Sequence, residues 1–563
     1  MDPIRLISEN PELKKKRVNV PPLSSRIVFI AGCTILAFLI RFLLIPTGSV
    51  INGDGIYYAS LGKKIMSGDL FGGISAYWAP LYSLLIGISA LFFQDLEFAG
   101  RFVSVVCGAL LVIPAYYLIN DFYGRVPARL GTVLVVIHPF LIKSSIWVMT
   151  ESLYTLIFTT IVIVGWRALR EGKARTFFFT GLLFGAAYLT KPESIGFVGL
   201  FFVLTLGTKL FRRSLPLRRL VTGNILLLFG FTIFFLPYVI FLHQKTGHWT
   251  ISQKLLSNVS ALNSDKGLLE LTDDGQTTMR DRLFNDLYET ENRISESSSS
   301  ATSPPAAETQ GAKLDFKGLL TKTLNNLKKQ VGQHIPAILP LPIILVAVIG
   351  FFFGLRTRRR RAAKDIYLFS FVASLLVGYA LTVIELRYLF SVIPILLGWA
   401  AYEFVRLGER ATEAAANFLK TNRKINPPWV QVFILLLTAA SLTPLFLSQF
   451  KPEELRNVPF EEKQAGLWIK NQTKSPTLIM ASNATSAFYA EASHIFVPDE
   501  EFTEVLEYAK RKRVNYLIFS ERRLKNTPRA FPVEEQDYPE ELNLVYKDDQ
   551  NPGYKILVFR LLD

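Results

Sequence analysis

Three kinds of residue are scarce in this chain of 563 residues: cysteine, histidine and charged residues. Only 19% of the residues are charged, against 50% hydrophobic. The two cysteines, Cys33 and Cys107, lie inside apolar runs, where a thiol acts as a small hydrophobic group, so no disulfide framework is expected. The histidines lack the spacing of metal ligands: His138, His243, His248, His334 and His494. The sequence therefore predicts neither a disulfide scaffold nor a histidine metal centre.

Hydrophobic and aromatic residues dominate instead. Aromatic residues make up 13% of the chain, and the mean hydropathy is +0.30. The formal net charge is +16, but the basic residues form short clusters between apolar runs rather than one basic face. This pattern indicates a polytopic membrane protein and argues against a nucleic-acid-binding protein.

Eleven apolar stretches approach the 20 or so residues that a helix needs to cross a bilayer. They lie at about 26–46, 98–119, 128–146, 152–169, 176–192, 194–210, 220–242, 335–355, 366–384, 388–405 and 429–449. The first run has no signal-peptide cleavage pattern and is expected to remain as an anchor. A twelfth candidate at 79–93 is short and bounded by Pro80 and Gln94, which predicts a helix lying on or dipping into the membrane face.

The basic clusters orient these spans, because Lys and Arg collect in cytoplasmic loops. Eleven spans place almost all of the clusters on one side, including the block "RTRRRR" at Arg356–Arg361. We therefore predict a cytoplasmic tail at 1–25 and a transmembrane domain at 26–449. The outer side then holds the loops 51–97 and 243–334 and everything after about 450.

The loop 243–334 has two parts of different character. Its segment "SESSSSATSPPAAETQ", residues 295–310, is predicted to be disordered because it has little to pack with. Apolar residues then recur at helical spacing from Phe316 to Val331, with lysines between them, which is typical of an interfacial amphipathic helix. This helix could be a lid over a lipid-facing site or a simple connection to the next span.

From about 450 the composition becomes that of a soluble domain. Residues 451–563 carry a net charge of −3, whereas the rest of the chain carries +19. A helix at about 460–471, a helix from after Asp499 to about Arg513, and the strands "TLIMAS", "VNYLIFS", "LNLVYK" and "YKILVFRLL" predict a small extracytoplasmic α/β domain at 450–563. It contains no phosphate-binding loop or metal-ligand spacing, and either an accessory or a purely structural role is open.

Polar residues at the outer ends of the spans form the group that could perform chemistry. They are Asp54 in the first outer loop, Thr150, Glu151 and Ser152 at the start of the fourth span, Lys191 and Glu193 in "LTKPES", and Glu385 and Arg387 in "VIELRYLF". Ionisable residues at this depth are costly unless they pair or face a cavity, so they indicate a functional site on the outer side.

Each member also has a structural interpretation. Asp54 could cap a helix that begins at about Ile56, and Glu151 could be an acid placed by the helix dipole. Other members could simply anchor the protein at the membrane interface. These are the cations Lys191 and Arg387 and the aromatic residues Tyr57, Tyr58 and Trp78.

Five motifs in a fixed order carry a resemblance to a known family. They are "NGDGIYYASLGKKIMSGD", "YWAPLYSLL", "GRVPARLGTVLVVIHPFLIKSSIWVMTESLY", "FGAAYLTKPES" and "ELRYLFSVIPILL". Over about 25–410 the chain resembles membrane glycosyltransferases of the C-type fold, in particular the bacterial protein O-mannosyltransferase and aminoarabinose transferase family. The resemblance implies a polytopic α-helical enzyme of the bacterial inner membrane. It would move a sugar, with inversion, from a polyprenyl phosphate to a protein, lipid or glycan acceptor at the outer face.

The resemblance also implies roles for individual residues. Asp54 would be the general base, and Arg387 and Lys191 would hold the lipid phosphate. Glu151 would orient hydroxyl groups. The remaining residues expected to bind substrate are Tyr57, Tyr58, Trp78, Glu193, Glu385 and Tyr388.

Two departures from the family pattern bear on a metal. Many relatives have a second acid beside the first-loop aspartate, where this chain has Gly55, and "TES" offers a single acid. We therefore expect no required divalent metal. The main rival class, a transporter or lipid flippase, would show internal repeats and charges near the bilayer midplane, and neither is apparent. A sensor or membrane anchor would hardly need eleven spans.

Overall fold

The computed structural model describes residues 25–48, 50–51, 53–211, 216–254, 316–357, 359–418, 428–451, 458–473, 476–523, 538–549 and 553–562. The predicted tail before Ser25 and the segment 295–310, predicted to be disordered, lie outside these ranges.

Helices make up nearly all of the described chain before residue 450. They are α1 Ser25–Leu43, α2 Gly53–Met66, α3 Leu70–Gly73, α4 Pro80–Ala90, α5 Leu96–Leu110, α6 Val112–Tyr123, α7 Arg125–Ile137, α8 Pro139–Ser145, α9 Glu151–Glu171, α10 Ala174–Tyr188, α11 Ile195–Phe211, α12 Leu217–Thr246, α13 Phe316–Lys329, α14 Ile335–Ile338, α15 Leu341–Thr357, α16 Arg359–Ala380, α17 Ile393–Phe418 and α18 Pro428–Gln449. Short 3-10 turns at Ile45–Thr47, Pro192–Ser194 and Leu386–Val392 precede α2, α11 and α17.

Six described helical segments are long and apolar enough to cross a membrane, and the number rises to eight if each of two bent pairs is one span. The pairs are α7 with α8, bent by 52°, and Leu320–Ile338 with Leu341–Phe352, bent by 116°. These eight segments coincide with eight of the eleven predicted spans. The other three predicted spans, at 176–192, 194–210 and 429–449, are also helical, but they are not among the segments that qualify as spans in the described part of the chain. An integral membrane architecture is thus confirmed, whereas the count of eleven is not.

Both predicted interfacial segments are helical. The stretch predicted at 79–93 forms α4, which has only 11 residues and buries Tyr82 and Ile86 in the protein core. The amphipathic helix predicted from Phe316 forms α13, with Leu320 and Leu324 exposed. Its sharp angle to α15 is compatible with a helix that lies along the membrane surface before the chain turns inward.

A fully buried arginine explains how the chain turns between α7 and α8. Pro139 ends α7 and leaves the last carbonyl groups of that helix without amide partners. The Arg41 guanidinium in α1 donates hydrogen bonds to the carbonyls of Val135 and Val136 and to the Ser145 hydroxyl. The cation of Arg41 in the apolar span α1 is therefore satisfied by the carbonyl groups that the break between α7 and α8 leaves free. The same contacts hold α8 at the angle that leads into Glu151.

The C-terminal part contains a five-stranded sheet, and every element that the sequence predicts there is present. Its helices are α19 Phe460–Gln472, α20 Thr485–Ala490 and α21 Phe502–Arg511. Its strands are β1 Leu478–Ala481, β2 Ser493–Phe496, β3 Tyr516–Ser520, β4 Leu542–Asp548 and β5 Ile556–Leu561, in the order β2-β1-β3-β5-β4. Strand β1 runs parallel to β2 and β3, while β5 pairs antiparallel with β3 and β4. The sequence pattern missed α20 and β2.

The central strand β1 is buried on both faces. Leu478 and Met480 pack into one apolar cluster with α21, and Ile479 and Ala481 pack into a second cluster with α19 and α20. Alternate side chains of a strand point to opposite faces, so a strand covered by helices on both sides reads as a continuous apolar run. The run "LIMA" has this pattern.

Close packing of α10 against α12 yields a prediction about stability. A methyl group at Gly181 would overlap the carbonyl oxygen of Leu227 on α12, which is backbone and cannot move aside cheaply. Gly181→Ala should destabilise the protein by about 1–3 kcal/mol, as overpacking usually does, and lower the melting temperature in detergent. Gly199→Ala on α11 is the control, since nothing lies within 4 Å of a methyl group there. Equal melting temperatures for Gly181→Ala and wild type would contradict the packing argument.

Candidate active site

The predicted site residues converge on one pocket. Eight of the ten line it: Asp54, Tyr58, Trp78, Glu151, Lys191, Glu193, Arg387 and Tyr388. They come from the first two turns of α2, the segment before α4, the N-terminus of α9, the turn between α10 and α11, and the 3-10 turn before α17. Segments more than 300 residues apart in sequence therefore supply a single site.

Asp54 lies in the first turn of α2, which begins at Gly53 rather than at about Ile56. The interpretation of Asp54 as the cap of a helix starting at Ile56 is therefore wrong. Its carboxylate pairs with Arg387, with 2.8 Å between Oδ2 and Nη1.

Three carboxylates surround the Arg387 guanidinium. In addition to Asp54, Glu385 forms an ion pair with Nε, and Glu151 Oε1 lies 3.9 Å from the same nitrogen. Glu385 is 44% exposed and does not line the pocket, so it holds Arg387 from outside. Arg387 therefore faces into the protein, not toward lipid head groups, and the interfacial-anchor interpretation does not fit it.

Glu151 opens α9 and is almost completely buried, with 3% of its side chain exposed. Its Oε1 accepts a hydrogen bond from Lys191 Nζ at 3.1 Å, while Oε2 has no hydrogen-bond partner among the described residues. A buried carboxylate oxygen without a partner is costly. Because Glu151 lines the pocket, a hydroxyl group of a ligand is the natural donor to Oε2.

Lys191 is also enclosed by the protein, with 11% of its side chain exposed. Its ammonium group lies 4.8 Å from the ring centre of Tyr388 and 5.4 Å from that of Tyr154. Pairing with Glu151 and two aromatic faces compensates for its lost hydration. Lys191 does not extend to a lipid interface, so it is not an anchor.

Stacked aromatic rings form the wall between α2 and α4. Trp78 is 4% exposed and stacks on Tyr57 at 5.2 Å, while Tyr58 meets it edge-on at 5.3 Å. Tyr57 lies outside the pocket lining and supports Trp78 from behind. Buried rings in this arrangement are not the lipid-facing aromatic belt that the alternative interpretation required.

Lys254 is the principal site residue that sequence reasoning missed. It lines the pocket, and its ammonium group lies 4.8 Å from the Trp78 ring centre. Burial lowers the pKa of Lys254, but the neighbouring Tyr58 and Asp54 raise it more, so its pKa lies above the usual value and the group is charged. No sequence signal singled out Lys254, because the same outer loop also holds Lys245 and the lysines of α13.

The pocket lining thus carries three acids and three cations. Within the part of the chain that the structure describes, no group of three or more His, Cys, Asp or Glu side chains is arranged to hold a metal ion. The carboxylates of Asp54 and Glu151 are engaged by Arg387 and Lys191.

Part of the site lies within a recognisable family domain. Residues 78–241 match the family described as dolichyl-phosphate-mannose-protein mannosyltransferase. The chain contains a mannosyltransferase-family domain. The matched segment includes Trp78, Glu151, Lys191 and Glu193 and covers less than a third of the chain. The match agrees with the predicted resemblance to membrane glycosyltransferases.

Two solved membrane proteins share the fold of this chain. ArnT from Cupriavidus metallidurans bound to undecaprenyl phosphate superposes with a TM-score of 0.57 at 12% identity, covering 95% of this chain and 97% of ArnT. The oligosaccharyltransferase of Archaeoglobus fulgidus in its apo form gives a TM-score of 0.59 at 12% identity, covering 89% of this chain and 70% of its own. The same archaeal enzyme, AglB, in complex with an inhibitory peptide and a dolichol-phosphate gives 0.57 at 11% identity. No curated protein matches the chain by sequence.

Proposed function

We propose that the protein is an inverting glycosyltransferase that moves a sugar from a polyprenyl phosphate to a hydroxyl or amine of a protein, lipid or glycan. The observation that carries the proposal is the convergence of the Asp54 carboxylate with three cations in a single pocket. The family domain and the fold shared with enzymes solved with undecaprenyl phosphate or dolichol-phosphate support it.

The chemistry assigns the proton and the leaving group to different side chains. The acceptor oxygen or nitrogen attacks the anomeric carbon as its proton passes to Asp54. The bond from that carbon to the phosphate oxygen breaks with inversion, and the lipid phosphate leaves as an anion. Arg387 and Lys254 stabilise the negative charge that develops on this phosphate.

The ion pair between Asp54 and Arg387 couples donor binding to the base. A lipid phosphate that binds Arg387 competes with Asp54 for the Nη1 donor. A carboxylate released from a guanidinium is a better proton acceptor than one engaged by it. Arrival of the donor phosphate therefore prepares Asp54 for the acceptor, and Glu385 keeps Arg387 in place during the exchange.

The remaining pocket residues recognise the sugar. Glu151 Oε2 accepts a sugar or acceptor hydroxyl, and Lys191 fixes the orientation of that carboxylate. The rings of Tyr58, Trp78 and Tyr388 pack against the sugar ring. The exposed Glu193 lies where an acceptor would enter. Three pocket cations supply the positive charge that a divalent metal would otherwise provide, so no metal is required.

The charge pattern supports the arrangement of the protein in the membrane. We place the tail 1–25 in the cytoplasm, the transferase domain at 26–449 in a bacterial inner membrane, and the α/β domain at 450–563 outside the cytoplasm. Basic clusters between the spans favour this orientation, and it puts the pocket at the outer face.

The proposal is tested by supplying the purified protein with polyprenyl-phosphate sugars and by comparing the glycans of cells with and without the gene by mass spectrometry. We expect turnover of at least one lipid-linked sugar and loss of one sugar modification from the cells. Absence of both would refute a transferase function.

Lys254, a residue that the sequence did not suggest, offers a test of the phosphate site. Lys254→Met should weaken binding of a polyprenyl phosphate about 10-fold, because one charge-assisted contact is lost, whereas Lys254→Arg should retain most of the affinity. The control is Lys245→Met at the end of α12, since Lys245 is also cationic but does not line the pocket. Direct binding of the lipid in detergent measures the effect. Equal weakening by both methionine variants would show that Lys254 has no specific role.

A further inference from the structure

A tyrosine of the C-terminal α/β domain contacts the chain just before Asp54. The Tyr489 hydroxyl on α20 accepts a hydrogen bond from the Ile51 amide at 3.0 Å. Ile51 is 1% exposed and lies three positions before Asp54. Helix α20 also packs on α2, and Ala484 before it joins the core of the transmembrane part.

The same hydroxyl also donates a hydrogen bond. Its acceptor is Glu97 Oε2, at 2.7 Å. Lys463 Nζ lies 3.6 Å from this carboxylate oxygen and 4.6 Å from the Tyr489 ring centre. Burial and the adjacent Glu97 raise the pKa of Tyr489 above its usual value, so the hydroxyl keeps its proton and remains a donor.

Glu97 extends this contact to the segment that carries Glu151. It pairs with Arg101, which is 4% exposed. Arg101 in turn donates to the carbonyls of Ile146 at 3.0 Å and Ile45 at 3.3 Å. Ile146 caps the C-terminus of α8, five positions before Glu151, and Ile45 begins the 3-10 turn before α2. One hydrogen-bonded chain therefore joins the C-terminal domain to both acid-bearing segments.

We propose that Tyr489 is a positioning residue for Asp54. Through it, the C-terminal domain holds the base at a fixed position relative to the donor phosphate. The inference rests on the proposed transferase function. Rigid placement matters because a displacement of about 1 Å between reacting groups can cost about 10²-fold in rate. An α/β domain without chemistry of its own thereby becomes part of the active site.

The test removes only the hydroxyl. Tyr489→Phe keeps the ring and its packing, so the melting temperature should change little. We expect kcat to fall about 10-fold, while the KM for the polyprenyl-phosphate donor stays unchanged, because the cations that bind the phosphate lie elsewhere. Tyr546→Phe is the control, since Tyr546 lies on β4 and packs on Trp468 of the same domain. A kcat within twofold of wild type for Tyr489→Phe would overturn the proposal.

A double variant separates positioning from general stabilisation. If Tyr489 acts through Asp54, adding Tyr489→Phe to Asp54→Asn should cause no further loss of transfer. A further 10-fold loss would instead show that Tyr489 acts independently of the base. Hydrogen exchange of the peptide containing Ile51 should accelerate in Tyr489→Phe, and unchanged exchange would contradict the anchoring contact even without an activity assay. If wild-type protein transferred no sugar, the transferase function would fail, whereas exchange would still decide the contact.

Discussion

Asp54→Asn is expected to lower the rate of sugar transfer by about 10²- to 10⁴-fold, the scale of a lost general base. The amide keeps nearly the shape of the carboxylate and can still accept a hydrogen bond from Arg387, but it cannot take a proton at neutral pH. Donor affinity should survive, because the cations around the phosphate remain. Transfer by purified protein, measured beside its melting temperature, decides the outcome.

The same outer loop offers a matched control for this variant. Asp69 caps α3 by accepting a hydrogen bond from the Gly72 amide at 2.8 Å, and it does not line the pocket. Asn caps a helix about as well as Asp, so Asp69→Asn should leave both folding and transfer unchanged. Asp54→Glu should also lose activity, because the carboxylate is displaced by one methylene. Near wild-type transfer by Asp54→Asn would move the search for the base to Glu151 or Glu193.

Arg387→Ala is expected to raise the dissociation constant for the polyprenyl phosphate by about 10- to 100-fold. A charge-assisted hydrogen bond contributes roughly 1.5–3 kcal/mol, and three carboxylates lose their shared cation and then repel the phosphate. Arg387→Lys should fall between Ala and wild type, since it keeps the charge but loses the planar set of donors that can contact phosphate and carboxylates together.

Direct lipid binding in detergent distinguishes this role from a structural one. Arg170→Ala is a suitable control because Arg170 is 47% exposed and lies at the opposite end of α9 from Glu151. It should bind the lipid as wild type does. Equal affinity in wild type and Arg387→Ala, with both proteins folded, would remove Arg387 from the phosphate site.

Much of the local structure was predictable because it depends on short-range patterns. Apolar length and basic clusters indicated the membrane class and located eleven regions that are all helical, eight of which qualify as spans within the described residues. Strand patterns in the C-terminal domain predicted β1, β3, β4 and β5. The short helix α20 was missed, since six residues carry too little periodicity, and the strand β2 was missed as well.

The site was predictable to the extent that unusual residues mark it. A charged group at the end of a span must find a partner or a cavity, and this rule selected Asp54, Glu151, Lys191 and Arg387. The rule does not say which residues meet. That Arg387 pairs with Asp54, and that Tyr57 lies behind Trp78 rather than in the pocket, depends on how helices distant in sequence pack together.

The sequence by itself thus determined a polytopic membrane chain with its candidate site residues near the ends of the apolar runs, because hydropathy and charge act locally along the chain. Only the tertiary structure brought Lys254 to the pocket, left Glu151 Oε2 without a partner and joined Tyr489 to the segment before Asp54. These contacts link residues up to 438 positions apart in the sequence, and a local periodic pattern does not predict contacts over such a separation. Long-range packing decides them, because the burial of whole helix faces fixes where each polar group lies.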